Sequence, residues 1–102
     1  MAATNPKHIR AGRVLSVVAG TAVQFPDVVV PYDFDVNLKA LSTNGGIVYI
    51  GNSKPEAENP SRTTSFPMEA NDELKLEIGN LNQLWIDAAV APDGLYWIVE
   101  QH

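Results

Sequence analysis

The chain has 102 residues, no cysteine and a formal net charge of −5. A domain of this size buries about 65% of the surface its unfolded chain exposes, enough for one modest core. The lack of cysteine excludes a disulfide framework, a thiolate metal site and a cysteine nucleophile, and no apolar run approaches the length of a membrane-spanning helix.

Residues 1–12 read as an extended N-terminal arm, with a single domain over 13–102. The arm has no apolar core segment, so no signal peptide is expected. Residues 1–13 carry Lys7, Arg10 and Arg13 and no acid, a subtotal of +3, while the remainder carries −8. An acidic body repels nucleic-acid phosphates. A basic arm on such a body suits an acidic partner or a neighbouring copy, although most chain ends are simply solvated.

Beyond the arm, apolar residues recur with period two between proline and glycine breaks, which is a strand pattern. Residues 13–18 and 21–25 read as two short strands around Gly20. Pro26 and Pro31 bracket Val28, Val29 and Val30, which suits an edge strand because proline cannot donate to a ladder. Over 33–42, Phe34, Val36, Leu38 and Ala40 alternate with Asp33, Asp35, Asn37 and Lys39, so a strand with one wet face is expected. Thr43-Asn44-Gly45-Gly46 predicts a hairpin with a type I′ turn. The return strand Ile47-Val48-Tyr49-Ile50 is apolar on both faces and is expected to be central.

Residues 51–67 are polar and read as a surface loop with a short strand at 63–66. Leu74, Leu76 and Ile78 alternate as the inward face of another strand, and Gly79-Asn80 turns the chain. Over 83–89, Leu84, Ile86 and Ala88 share one face and Trp85 and Asp87 the other. Pro92-Asp93-Gly94 is a turn, and the last strand alternates Leu95, Trp97 and Val99 with Tyr96, Ile98 and Glu100. About eight short strands of this kind predict an all-β fold, an antiparallel β-sandwich or small jelly-roll-like barrel.

Catalytic residues are not evident. His8 and His102 sit near the two ends, without a partner placed to orient either. Asp33 and Asp35 share a strand face and have calcium-ligand chemistry, but no calcium-loop spacing surrounds them, so a solvated face is the better reading. Glu56 and Glu58 read as solubility charges. Phosphate-loop, dinucleotide, zinc-protease and nucleophile-elbow motifs are all missing. No catalytic, cofactor-binding or metal-binding residue is therefore expected. Trp85 and Tyr96 fall out of phase with their apolar neighbours. They suit sugar stacking or a subunit interface if exposed, and core packing if both sheet faces are covered.

Three segments carry a family likeness: Ala19-Gly20-Thr21-Ala22-Val23-Gln24; Leu38-Lys39-Ala40-Leu41-Ser42-Thr43-Asn44-Gly45-Gly46-Ile47-Val48-Tyr49-Ile50-Gly51-Asn52-Ser53; and Leu76-Glu77-Ile78-Gly79-Asn80-Leu81-Asn82-Gln83-Leu84-Trp85-Ile86-Asp87-Ala88, closed by Asp93-Gly94-Leu95-Tyr96-Trp97-Ile98. In this order they resemble small β-structured virion proteins of tailed bacteriophages. The likeness spans residues 14–100 and rests mostly on turn residues and apolar alternation. It departs where the usual Pro-Gly-Glu turn is Ala70-Asn71-Asp72-Glu73, and where the stretch from Phe25 to Tyr32 is longer and proline-rich.

The resemblance implies a non-enzymatic capsid decoration (cement) protein. Such a protein would be made in the bacterial cytoplasm and carried on the outer capsid surface. Its implied partner is the phage major capsid protein, bound as a homo-oligomer, a trimer, without nucleic acid, membrane or cofactor. The expected contacts are Lys7, His8, Ile9, Arg10 and Arg13 of the arm and Val28, Val29 and Val30 of the proline-bounded edge. The alternative is a tail, neck or head-fibre component that binds a receptor or carbohydrate through Trp85, Tyr96 or the 51–67 loop.

Overall fold

The computed structural model describes residues 10–61 and 63–101. They form strands β1 (Arg10–Leu15), β2 (Val23–Gln24), β3 (Phe34–Ala40), β4 (Val48–Gly51), β5 (Phe66–Met68), β6 (Glu73–Leu76), β7 (Trp85–Ala88) and β8 (Gly94–Gln101). A short helix, α1 (Lys54–Glu58), follows β4, and a 3-10 turn (Leu81–Gln83) precedes β7. The strands make two four-stranded antiparallel sheets, ordered β1-β8-β3-β6 and β2-β7-β4-β5. The expected all-β sandwich is the fold that forms.

The period-two pattern accounts for the core. From the first sheet, Val36, Leu38 and Ala40 of β3 and Leu95, Trp97 and Val99 of β8 point inward. The second sheet answers with Val48 and Ile50 of β4, Met68 of β5, and Ile86 and Ala88 of β7. Phe25, Val28, Val30 and Leu81 extend the same cluster beyond the strands. Each fully buried side chain of this size contributes roughly 1.5–3 kcal/mol.

Three expected features form differently. The 43–46 segment is not a hairpin, because β3 and β4 belong to different sheets and the chain crosses between them. The described positive-φ residues are Gly20 and Asn71, so Asn44, Gly45 and Gly46 do not make a type I′ turn. Asp93 sets the path instead: its carboxylate accepts from the Gly45 amide at 3.0 Å and the Gly46 amide at 2.8 Å. Asn44 completes the clasp, its side chain donating to the Gly94 carbonyl and accepting from the Gly94 amide, both at 2.9 Å.

The Val28–Val30 stretch is not an edge strand. A single bridge, Val29 to Asn80, replaces a ladder, as flanking prolines require. The Val30 amide donates to the Gly79 carbonyl and the Leu81 amide to the Val28 carbonyl.

The polar 51–67 stretch contains α1. Ser53 caps it, accepting from the Glu56 amide, and donates to the Glu56 carboxylate at 3.2 Å. Ser53 and Glu56 have the spacing of a capping box, but here the Glu56 carboxylate meets the Ser53 hydroxyl rather than the Ser53 amide. The helix buries Ala57 so close to β4 that a Cβ on Gly51 would lie 2.6 Å from the Ala57 nitrogen. The short strand in this stretch begins at Phe66 rather than at 63.

Candidate partner-binding surface

β1 is an edge strand of the first sheet, paired with β8 alone among the described residues. It begins at Arg10, so the last three residues of the expected arm are already sheet. Arg10 and Arg13 are both exposed. Lys7, His8 and Ile9 lie outside the described residues, as do Arg62 and His102.

Gly12 carries no side chain where β1 meets the core. A Cβ there would sit 2.7 Å from the Trp97 ring, so glycine is what lets the indole pack this closely against the strand. The described chain therefore begins in an edge strand packed against Trp97.

The three valines divide. Val28 and Val30 are core, which corrects their assignment as contact residues: the bridge to Asn80 turns one side of the segment inward. Val29 faces solvent at 65% exposure, and Tyr32, which sequence reasoning did not single out, is fully exposed. Both lie at the end of the sandwich where β1 begins. Arg10 is opposite Val99 in the ladder, and Phe34 is opposite Gln101 two residues further along β8. The loop before β3 is tied to the same place by the Gln101 side chain, which donates to Asp33 at 2.6 Å. Arg10, Val29 and Tyr32 thus share one end, while the exposed Val17, Val18 and Val90 belong to loops at the opposite end.

Trp85 is half-buried on β7, opposite Gly51 and Gln24. Tyr96 lies exposed on β8, in the other sheet. The two aromatics face away from each other across the sandwich and do not form one stacking platform. Tyr96 instead borders a shallow depression of about 590 Å³ on the outer face of the first sheet, with Ala11, Arg13, Asn37, Lys39 and Ile98 among its walls.

The acidic pairs are engaged within the fold. Asp35 is buried, against the expectation of a solvated face, with the Lys75 ammonium 3.1 Å away. Asp33 takes the Gln101 bond. Among the described residues no group of three histidine, aspartate or glutamate side chains converges to hold a metal. Glu58 is more than a solubility charge. It accepts from Lys54 and from the Ala22 amide, each at 2.6 Å, tying α1 to the chain entering β2. The Lys54 bond first, and the Ala22 amide second, hold its carboxyl below the usual range.

No family model, curated protein or solved structure matches the chain.

Proposed function

We propose that this chain is a non-enzymatic virion protein of a tailed phage, decorating and stabilising the outer surface of the capsid as a cement protein. Its partner is the major capsid protein. A closed trimer lets one small domain touch several coat subunits, so that weak contacts add by avidity.

The reading is supported first by the three resembling segments. The Ala70-Asn71-Asp72 departure is conservative in its backbone: Asn71 sits at φ 70°, the left-handed conformation that glycine supplies in a Pro-Gly turn and that asparagine tolerates. The observation that carries the proposal is the shared end of the sandwich. Arg10, where the described chain begins, and two exposed side chains, Val29 and Tyr32, lie at that end. An apolar contact flanked by a cationic arm fits an acidic protein surface.

The test is co-sedimentation of the purified protein with capsids that lack it. Saturable binding that declines when residues 1–9 are removed is expected. Full-strength binding by the truncated chain contradicts the role given to the arm, and failure of the intact chain to bind any capsid contradicts the function.

A further inference from the structure

We propose that copies of this chain join edge to edge, β1 of one against β6 of the next, continuing the first sheet from molecule to molecule. The inference concerns self-association and stands whether or not a capsid is the final target.

Both strands are open edges: among the described residues β1 pairs only with β8 and β6 only with β3. All three ladders of this sheet are antiparallel, so β1 and β6 run in opposite directions. A neighbouring copy laid beside β6 with the same orientation presents its β1 antiparallel, and the alternation continues. Unpaired edges of this kind are templates for strand addition.

The two edges are complementary in charge. β1 carries Arg10 and Arg13 and no acid. β6 carries Glu73 and Lys75 and is flanked by Asp72 and Glu77. The register aligns these charges. Arg13 lies opposite Tyr96, Tyr96 opposite Lys39, and Lys39 opposite Glu73, so one row crosses all four strands on the outer face. It starts with an arginine at one edge and ends with a glutamate at the other. A copy placed in register sets its Arg13 beside Glu73 of its neighbour. The adjacent row runs Ala11, Ile98, Asn37, Lys75, so Lys75 meets an alanine rather than a like charge. Cross-strand pairs of opposite charge support pairing and like pairs oppose it.

The flank of β6 is also incompletely covered. Leu74 and Leu76 point inward yet remain half-buried. They border an open cleft of about 400 Å³ shared with Ile50, Phe66 and Leu84. An added strand covers this flank. Because the contact joins two different surfaces, repetition closes into a ring when each step includes the right rotation, and otherwise runs on as a filament.

The experiment is sedimentation equilibrium on the full chain, comparing the wild type with Arg13→Glu, Glu73→Arg and the double reversal. The wild type is expected to self-associate, each single reversal to weaken association roughly tenfold, and the double variant to recover it. A wild type that is monomeric at its highest soluble concentration overturns the proposal. So does an oligomer that the single reversals leave intact or that the double reversal fails to restore. A second measurement covers the case of reversal variants that do not fold. The native chain has no cysteine, so Arg13→Cys with Glu73→Cys introduces two isolated thiols. Within one molecule they are three strand spacings apart, roughly 14 Å, too far for a disulfide. Mild oxidation is expected to give covalent dimers and trimers, linked through the Arg13 and Glu73 positions. A chain that stays monomeric under the same oxidation contradicts the edge-to-edge contact.

Discussion

The indole of Trp97 occupies the space that a side chain on Gly12 would need: a Cβ at Gly12 would lie 2.7 Å from the ring. Trp97 is buried and sits opposite both Gly12 of β1 and Leu38 of β3, at the centre of the first sheet. Replacing Gly12 with alanine forces the ring or the edge strand to move. Overpacking of this kind costs roughly 1–3 kcal/mol. Chemical denaturation of Gly12→Ala is expected to show a loss in that range, with a shift in tryptophan emission before unfolding. An unchanged midpoint contradicts the packing described.

Asp93 gives a second test. Its buried carboxylate accepts from the Gly45 and Gly46 amides and pins the crossover between the sheets. Asp93→Ala leaves both amides without that acceptor, at about 1–3 kcal/mol for each group that water does not reach. Asn44→Ala loosens the same clasp. The two effects are expected to be non-additive, because the residues act on one turn. Thermal unfolding of the single and double variants measures this, and strict additivity contradicts a shared clasp.

The valines at 28–30 provide a contrast within one short segment. Val30→Ala removes buried methyl groups and is expected to cost about 1–3 kcal/mol. Val29→Ser, at an exposed position, is expected to leave stability within about 0.5 kcal/mol of wild type. On the proposed function, Val29→Ser and Tyr32→Ser weaken capsid binding while the melting temperature holds. Binding unaffected by the pair contradicts the contact surface.

The tie between α1 and β2 is pH-dependent with a definite sign. Glu58 has its carboxyl pKa lowered from the ordinary 4.5 by the Lys54 bond and then the Ala22 amide. A carboxylate with a depressed folded-state pKa contributes stability above the unfolded pKa and loses it as pH falls through the folded one. The Ala22 amide is therefore expected to be protected at neutral pH and to lose protection only below about pH 4.5. Glu58→Gln is expected to remove this step. Nuclear magnetic resonance titration of the Ala22 amide reads it directly, and a titration midpoint above the ordinary carboxylate value contradicts the assignment.

The sandwich was legible because alternation is a local signal. In β3, β6 and β8 the residues expected inward, such as Val36, Leu38, Leu95 and Val99, are the ones buried or turned to the core. Sheet membership was not legible. Asn44-Gly45-Gly46 carries a hairpin signal, but its partner is Asp93, 47 residues away along the chain from Gly46. Trp85 and Tyr96 each face outward as their phase implies, yet period two does not say that they belong to opposite sheets. The helix had a readable mark that polarity concealed. Ser53 followed by Glu56, with Pro55 in the first turn, is a capping-box sequence. Tyr32 left no trace, because a single aromatic between a proline and an aspartate has no period.

The central claim is that this chain covers a capsid lattice, and its copy number tests that most directly. Quantitative mass spectrometry of purified virions against the major coat protein is expected to give a ratio near one per coat subunit. A few copies per particle contradict decoration, and place the chain in a neck, tail or fibre instead.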